Sequence, residues 1–226
     1  MSEQVLASFE PGGPDSESFM INGADLVRGI MGPIGSGKSV ACCAEIMMRC
    51  CEQAPGRDGV RRSRWAIIRN TYPELKSTTI KTWLDWFPES VFGRMKWDAP
   101  ITHLIAFNEP NLGRVEIEVL FLALDRPDHV KKLLSLEVAG VWINEARSVP
   151  KAIVDAATGR VGRYPSKRDK PDEVPADQWP TWFGVIMDTN PPDDDHWWYK
   201  LAEEDKPAGW AFYRQPSGLS PDAENK

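Results

Sequence analysis

Residues 32–39 read Gly-Pro-Ile-Gly-Ser-Gly-Lys-Ser, the spacing G-x-x-x-x-G-K-[ST], and no other feature limits what the chain can fold into as much. The glycines let the backbone curl so that successive N–H groups face inward on phosphate oxygens. The helix that opens there adds the positive end of its dipole. Lys38 has the reach for the β- and γ-phosphates, and the Ser39 hydroxyl suits Mg²⁺. A glycine-rich connector can show the same letters, so context decides. Leu26 to Met31 reads as a short apolar strand before the loop. Residues 39–53 read as a helix after it, with Val40, Cys43, Met47 and Cys51 on one stripe. The expectation is a nucleotide site built from Gly32, Pro33, Ile34, Gly35, Ser36, Gly37, Lys38 and Ser39, taking ATP and Mg²⁺.

Further strand and helix signals alternate along the chain. Trp65 to Ile68 reads as a core strand and Leu75 to Trp86 as a helix stopping near Pro88. Residues 101–124 hold two β-rich runs joined through Pro110 to Gly113. Pro127 to Leu136 suggests a short helix, Val138 to Ile143 an apolar strand, residues 165–180 a charged, proline-rich loop, and Trp182 to Met187 another strand. Strands alternating with helices predict an α/β fold with a largely parallel sheet. Residues 1–19, rich in Gly, Pro, Ser and acid, read as a poorly ordered arm. Residues 20–215 read as one domain, and 216–226 as a linker.

Two strand ends carry candidate chemistry. Val141-Trp142-Ile143 runs into Asn144-Glu145, where a motor ATPase usually has Asp then Glu. The first of the pair helps hold Mg²⁺ and the second accepts a proton from the attacking water. Asn144 can hydrogen-bond a metal-bound water but brings no charge, which implies either weaker metal affinity or compensation by Asp188. Thr189 and Asn190, following Asp188 at the next strand end, face the same crevice and suit sensing of the γ-phosphate, although Pro191-Pro192 also fits a plain turn. Arg69-Asn70-Thr71 follows a strand too; it suits contact with nucleotide or DNA, or a structural arginine capping carbonyls. Arg126, Arg147, Arg160 and Arg163 are candidates for an arginine finger, with Arg163 and Arg160 favoured.

Composition limits the partners. Net charge is −6, which is unlike a general polyanion binder, yet residues 57–64 and 160–170 are locally basic and fit either phosphate contact or solvated loops. No run of about 18 apolar residues suggests a membrane span. All 4 cysteines fall within Cys42–Cys51, without zinc spacing, and read as small apolar side chains of a buried helix. Of 10 tryptophans, most are expected in the core.

Taken in order, these motifs resemble the ATPase domain of large terminases from tailed phages. The resemblance rests on the phosphate loop, Ile67-Ile-Arg-Asn-Thr-Tyr-Pro-Glu-Leu75, Leu124-Asp-Arg-Pro-Asp-His-Val-Lys-Lys132, Val141-Trp-Ile-Asn-Glu-Ala-Arg147, Thr158-Gly-Arg-Val-Gly-Arg-Tyr-Pro165 and Met187-Asp-Thr-Asn-Pro-Pro192. It implies a P-loop NTPase of the additional-strand, catalytic-glutamate type that drives double-stranded DNA into a procapsid. Lys38, Ser39 and Glu145 match its nucleotide and catalytic positions, and Asp188 to Asn190 its coupling motif. The implied partners are a portal protein, a small terminase subunit and neighbouring copies in a ring, at the procapsid portal in the host cytoplasm. A nuclease domain is expected to follow the linker, so this chain itself is not expected to cut DNA. Asn144 in place of Asp leaves a nucleotide-dependent switch with little turnover as the alternative; another translocase or a small-molecule kinase are further rivals.

Overall fold

In the computed structural model, which describes residues 8–224, one eight-stranded sheet runs through the molecule in the order β3-β4-β5-β2-β6-β7-β1-β8. Helix α1 (Pro14–Ile21) leads to β1 (Val27–Met31), then the phosphate loop, α2 (Lys38–Glu52) and β2 (Arg61–Arg69). A helical stretch follows, α3 (Tyr72–Glu74) and α4 (Ile80–Trp86) joined through a π-helical turn at Leu75–Thr79, and then α5 (Glu89–Phe92). Strands β3 (Gly93–Lys96), β4 (Ile101–Glu109) and β5 (Gly113–Ala123) form an antiparallel meander, and α6 (Val130–Leu134) leads into β6 (Gly140–Asn144). The chain continues through α7 (Lys151–Thr158), β7 (Gly184–Thr189), α8 (Trp197–Tyr199) and β8 (Trp210–Arg214).

From β5 across to β8 every neighbouring pair is parallel. Strands β1, β6 and β7 are buried along their whole length, which is why they read as continuous apolar runs rather than alternating ones. Strand β7 lies between β1 and β6. The sheet thus carries an additional strand between the strand that leads into the phosphate loop and the strand that ends at Asn144. The carboxyl ends of β1, β2, β6 and β7 therefore converge on one edge of the sheet, where α/β folds bind ligands.

Two apolar layers hold the helices on. On one face Trp65, Trp83, Phe121, Trp142 and the α2 residues Cys42, Cys43 and Ile46 pack together. On the other, Ile143, Ile153, Val154, Met187 and Trp198 do so. Gly140 is dictated by this packing, because a Cβ there would sit 2.6 Å from the ring of Trp65.

Several expectations need correction. Residues 14–19 are no loose arm: they open α1, and Phe19 is fully buried. Two arginines hold the helix down, Arg28 donating to the Phe19 carbonyl at 2.7 Å and Arg49 to that of Met20 at 2.6 Å. Both reach the buried Glu45 of α2. Residues 1–7 and 225–226 lie outside the described residues. The segment read as a linker packs back at Glu224, which accepts from the Asp15 amide at 2.7 Å and the Ser16 hydroxyl at 2.8 Å. In α2 the buried stripe is Ala41, Cys42, Cys43, Ile46 and Cys50, with Val40, Met47 and Cys51 only half-buried, because the helix is gripped by α1 and α4 as well as the sheet. Residues 57–64 span a turn and the first residues of β2, and their cations are engaged: Arg57 with Asp172, Arg62 with Asp58, Arg64 with Glu118. In 160–170, Arg160, Arg163 and Lys170 donate to backbone carbonyls. The short helices α5, α7 and α8 and the strands β3 and β8 were not anticipated.

Candidate nucleotide site

The phosphate loop leaves β1 at Gly32 and re-enters helix at Lys38. Gly35 and Gly37 take φ angles of 81° and 82°, a left-handed conformation that residues with a Cβ adopt only under strain, and the space beside Gly35 is open. Ile34 at the loop tip is 89% exposed. A cleft of about 280 Å³ opens above the loop, lined by Ile34 to Val40 together with Thr82, Glu145 and Asn190.

Inside the cleft, Lys38 Nζ donates to the Pro33 carbonyl at 2.6 Å, to Ser36 Oγ at 3.2 Å and to Asn190 Oδ1 at 3.2 Å. Burial pulls the Lys38 ammonium below its ordinary pKa, while Asp188 and Glu145 act in the opposite sense. Gln215, buried just past β8, braces the loop from beneath. It accepts from Ser36 Oγ at 2.6 Å and donates to the Ser36 carbonyl at 3.0 Å. Its side chain crowds Gly32 so closely that a Cβ there would lie 2.2 Å from it.

At the ends of the neighbouring strands stand Arg69, Asn144 and Asp188, side by side. Asp188 is fully buried and accepts from Ser39 Oγ at 2.7 Å and Trp142 Nε1 at 2.8 Å. Asn144 Nδ2 lies 3.0 Å from each Asp188 carboxylate oxygen and 3.2 Å from Ser39 Oγ. Its Oδ1 accepts from Arg69 Nη1 at 2.8 Å and Thr79 Oγ1 at 2.6 Å. The carboxylate that the site lacks on β6 is thus present on β7, in contact with the phosphate-loop hydroxyl.

Glu145 turns out of the strand in the left-handed conformation, φ 51°, which aims its side chain into the cleft. Its carboxylate accepts from Asn190 Nδ2 at 3.2 Å. Burial, and next the charge of Asp188, raise the Glu145 pKa, while Arg69 and Lys38 oppose the rise. Asn190 therefore bridges Lys38 and Glu145. Thr189 is equally central: its carbonyl accepts from the Gly32 amide at 3.2 Å and its hydroxyl from the Arg147 amide at 3.3 Å.

All the expected positions from Gly32 to Ser39, with Asn144, Glu145, Asp188, Thr189 and Asn190, thus gather at one edge. Arg160 and Arg163 do not join them. The Arg163 amide is bonded to the Val138 carbonyl and Arg160 Nε to that of Leu136, at the entry to β6. Asn144 lies six residues further along, or about 20 Å at the usual strand rise, so neither serves this chain's own phosphate loop. Thr79, Thr82 and Gln215 are site residues that sequence reasoning missed. No motif spacing marks them, and the first two sit on a helix expected only for packing.

These residues fit a nucleotide with its metal. Among the described residues no group of three or more His, Cys, Asp or Glu could cage an ion. Mg²⁺ on a nucleotide needs only one or two protein ligands beside the phosphates, and Ser39 with Asp188 offers them.

No family model and no curated protein matches the sequence. Solved structures do. The large terminase of a thermophilic bacteriophage superposes with a TM-score of 0.61 at 13% identity, over 91% of this chain and 46% of that one. The same terminase in complex with ADP gives 0.60 at 14% identity, over 84% and 40%. The large terminase ATPase domain of Thermus phage P74-26 gives 0.53 at 15% identity, over 92% and 82%. The fold is that of a phage terminase ATPase domain. This chain spans less than half of the large terminase chain and most of the Thermus phage ATPase domain. Within the terminase ATPase fold, β1, β6 and β7 carry the expected P-loop NTPase arrangement. Among the described residues no helix is long and apolar enough to cross a membrane.

Proposed function

We propose that the chain is the motor domain of a terminase large subunit, hydrolysing ATP to drive double-stranded viral DNA into a procapsid. The observation that carries this reading is the convergence of Lys38, Ser39, Glu145 and Asn190 on one cleft, with Asp188 bonded to Ser39 from behind, at the strand ends of a terminase-like sheet. Lys38 and the loop amides bind the phosphates. Ser39 and Asp188 would hold Mg²⁺, which neutralises phosphate charge. Glu145, half-buried and held by Asn190, takes the proton of the attacking water. Asn190, touching both Lys38 and Glu145, links phosphate occupancy to the base, and Thr189 links the loop to the Glu145 turn. The partners on this reading are DNA, portal protein, small terminase subunit and neighbouring copies in a ring, acting at the procapsid portal in the host cytoplasm.

The test is steady-state ATPase activity beside Lys38→Ala and Glu145→Ala. Both variants are expected to lose activity by at least a hundredfold, with ADP binding lost in the first and kept in the second. Full activity in Glu145→Ala sinks the base assignment. Asn144, neutral where a charge is usual, favours a second reading as a nucleotide-dependent switch. ATP binding without turnover at any protein concentration would select it.

A further inference from the structure

The carboxamide of Asn144 occupies the position where a charged metal partner is usual, and its orientation is fixed by chemistry. Arginine has only donors, so the atom facing Arg69 Nη1 at 2.8 Å must be the amide oxygen. Thr79 donates to the same oxygen at 2.6 Å. The amide nitrogen is thereby left facing Asp188 and Ser39. Thr79 is the last residue of the π-helical turn that interrupts α3 and α4, a device that re-aims side chains at functional sites. It is itself buried. Arg69 is mostly buried, and its Nε has no hydrogen-bond partner, Glu74 Oε2 lying 4.0 Å away. An arginine held this incompletely is a poor investment for packing alone, because a buried unmade hydrogen bond costs about 1–3 kcal/mol.

We propose that Arg69 and Thr79 are positioning residues that clamp the Asn144 amide, so that the β7 carboxylate of Asp188, and not the β6 side chain, is presented with Ser39 to the nucleotide's divalent cation. This rests on the reading of the cleft as an ATP–Mg²⁺ site. The clamp runs across three adjacent strand ends, Arg69 to Asn144 to Asp188, with α2 closing it through Ser39. Freed from Arg69 and Thr79, the Asn144 amide can rotate and set its oxygen against Asp188. The carboxylate would then lose two donated hydrogen bonds and gain a repulsive neighbour.

The experiment is calorimetric titration of the 226-residue chain with ADP, once in excess EDTA and once in saturating MgCl₂, for the wild type, Thr79→Val, Arg69→Gln and Asp188→Asn. Thr79→Val keeps the shape of the side chain and provides the readout if Arg69→Gln does not fold. ADP affinity in EDTA should stay within about twofold for Thr79→Val and Arg69→Gln, since the loop and Lys38 are untouched. The tightening produced by Mg²⁺ should shrink by roughly five- to tenfold in each, as for loss of one hydrogen bond, and vanish in Asp188→Asn. Arg69→Lys, keeping one donor, should recover part of it. If Mg²⁺ still tightens binding fully in Thr79→Val and Arg69→Gln while Asp188→Asn loses the effect, the clamp is wrong and the metal site stands. Full tightening in Asp188→Asn overturns the clamp and the metal assignment together, and leaves the nucleotide site intact. Absence of ADP binding by the wild type overturns this inference and the motor reading with it.

Discussion

At the scale of single residues, the choice of hydrogen-bond partners sets pH behaviour, as His103 shows. Its imidazole is fully buried on β4. Nδ1 accepts from Trp83 Nε1 at 2.9 Å, so the ring proton sits on Nε2, facing the Gly93 carbonyl at 3.1 Å. Protonation would set a second N–H against that of Trp83. Burial accordingly lowers the His103 pKa below its ordinary 6.5, against a smaller opposing pull from Gly93 and Glu89. The sign follows from linkage. Below 6.5 the unfolded chain takes up a proton that the folded chain refuses, so stability is full above that pH and falls as pH drops beneath it. Urea unfolding at a series of pH values from 7.5 to 5 should show this loss, at most about 1.4 kcal/mol per pH unit. His103→Gln, which keeps an acceptor for Trp83, should lose less over the same range. Equal slopes in the two proteins would show that His103 does not titrate in this way.

At the scale of elements, the sequence was most legible where one strand or helix explains itself and least where distant pieces complete each other. Strands β1, β2, β6 and β7 and helix α2 follow from apolar runs and the phosphate-loop spacing, and with them came the edge that carries the candidate site, because a parallel sheet fixes which strand ends meet. Helix α1 was not legible, since Pro14-Asp-Ser-Glu-Ser18 has a disordered composition; it is held by residues outside it, Arg28 on the next strand and, much further along the chain, Arg49 and Glu224. Strand β8 exists by pairing with β1, nearly the whole chain away. The π turn that delivers Thr79 leaves no mark in periodicity. The α1 attachment yields a prediction. Arg28 and Glu45 are 1% and 0% exposed, and burial raises the Glu45 pKa against the pull of both arginines. Glu45→Ala would leave Arg28 buried without its counter-charge, a loss of about 3–5 kcal/mol. Replacing the exposed Glu52, which also pairs with Arg49, should cost less than about 1 kcal/mol. Thermal or urea denaturation compares the two directly, and similar losses would mean that the buried pair does not anchor α1.

At the scale of the whole molecule, the length of the sheet's strands separates two groups of candidate residues. The phosphate loop, Glu145 and Asp188 lie at the carboxyl edge, whereas Arg160 and Arg163 lie beside the amino end of β6. An arginine finger from that segment is too far for this chain's nucleotide and would have to serve a neighbour, so each site would be completed between subunits. Two consequences follow, and they can be measured together. If that segment supplies the finger, specific ATPase activity should rise with protein concentration, since a lone copy would lack a contribution worth roughly 10³–10⁵ in rate in P-loop enzymes. Glu145→Ala keeps the finger but lacks the base, while Arg160→Ala/Arg163→Ala keeps the base but lacks the finger. Each alone should be nearly inactive, and mixing them at high concentration should restore activity, because some interfaces then pair an intact base with an intact finger. Restoration would place the finger in the 160–163 segment and make a multi-subunit ring the working unit. A double arginine variant with full activity at every concentration would move the search to the near edge, where Arg126 and Arg147 stand exposed beside the cleft's own strand ends.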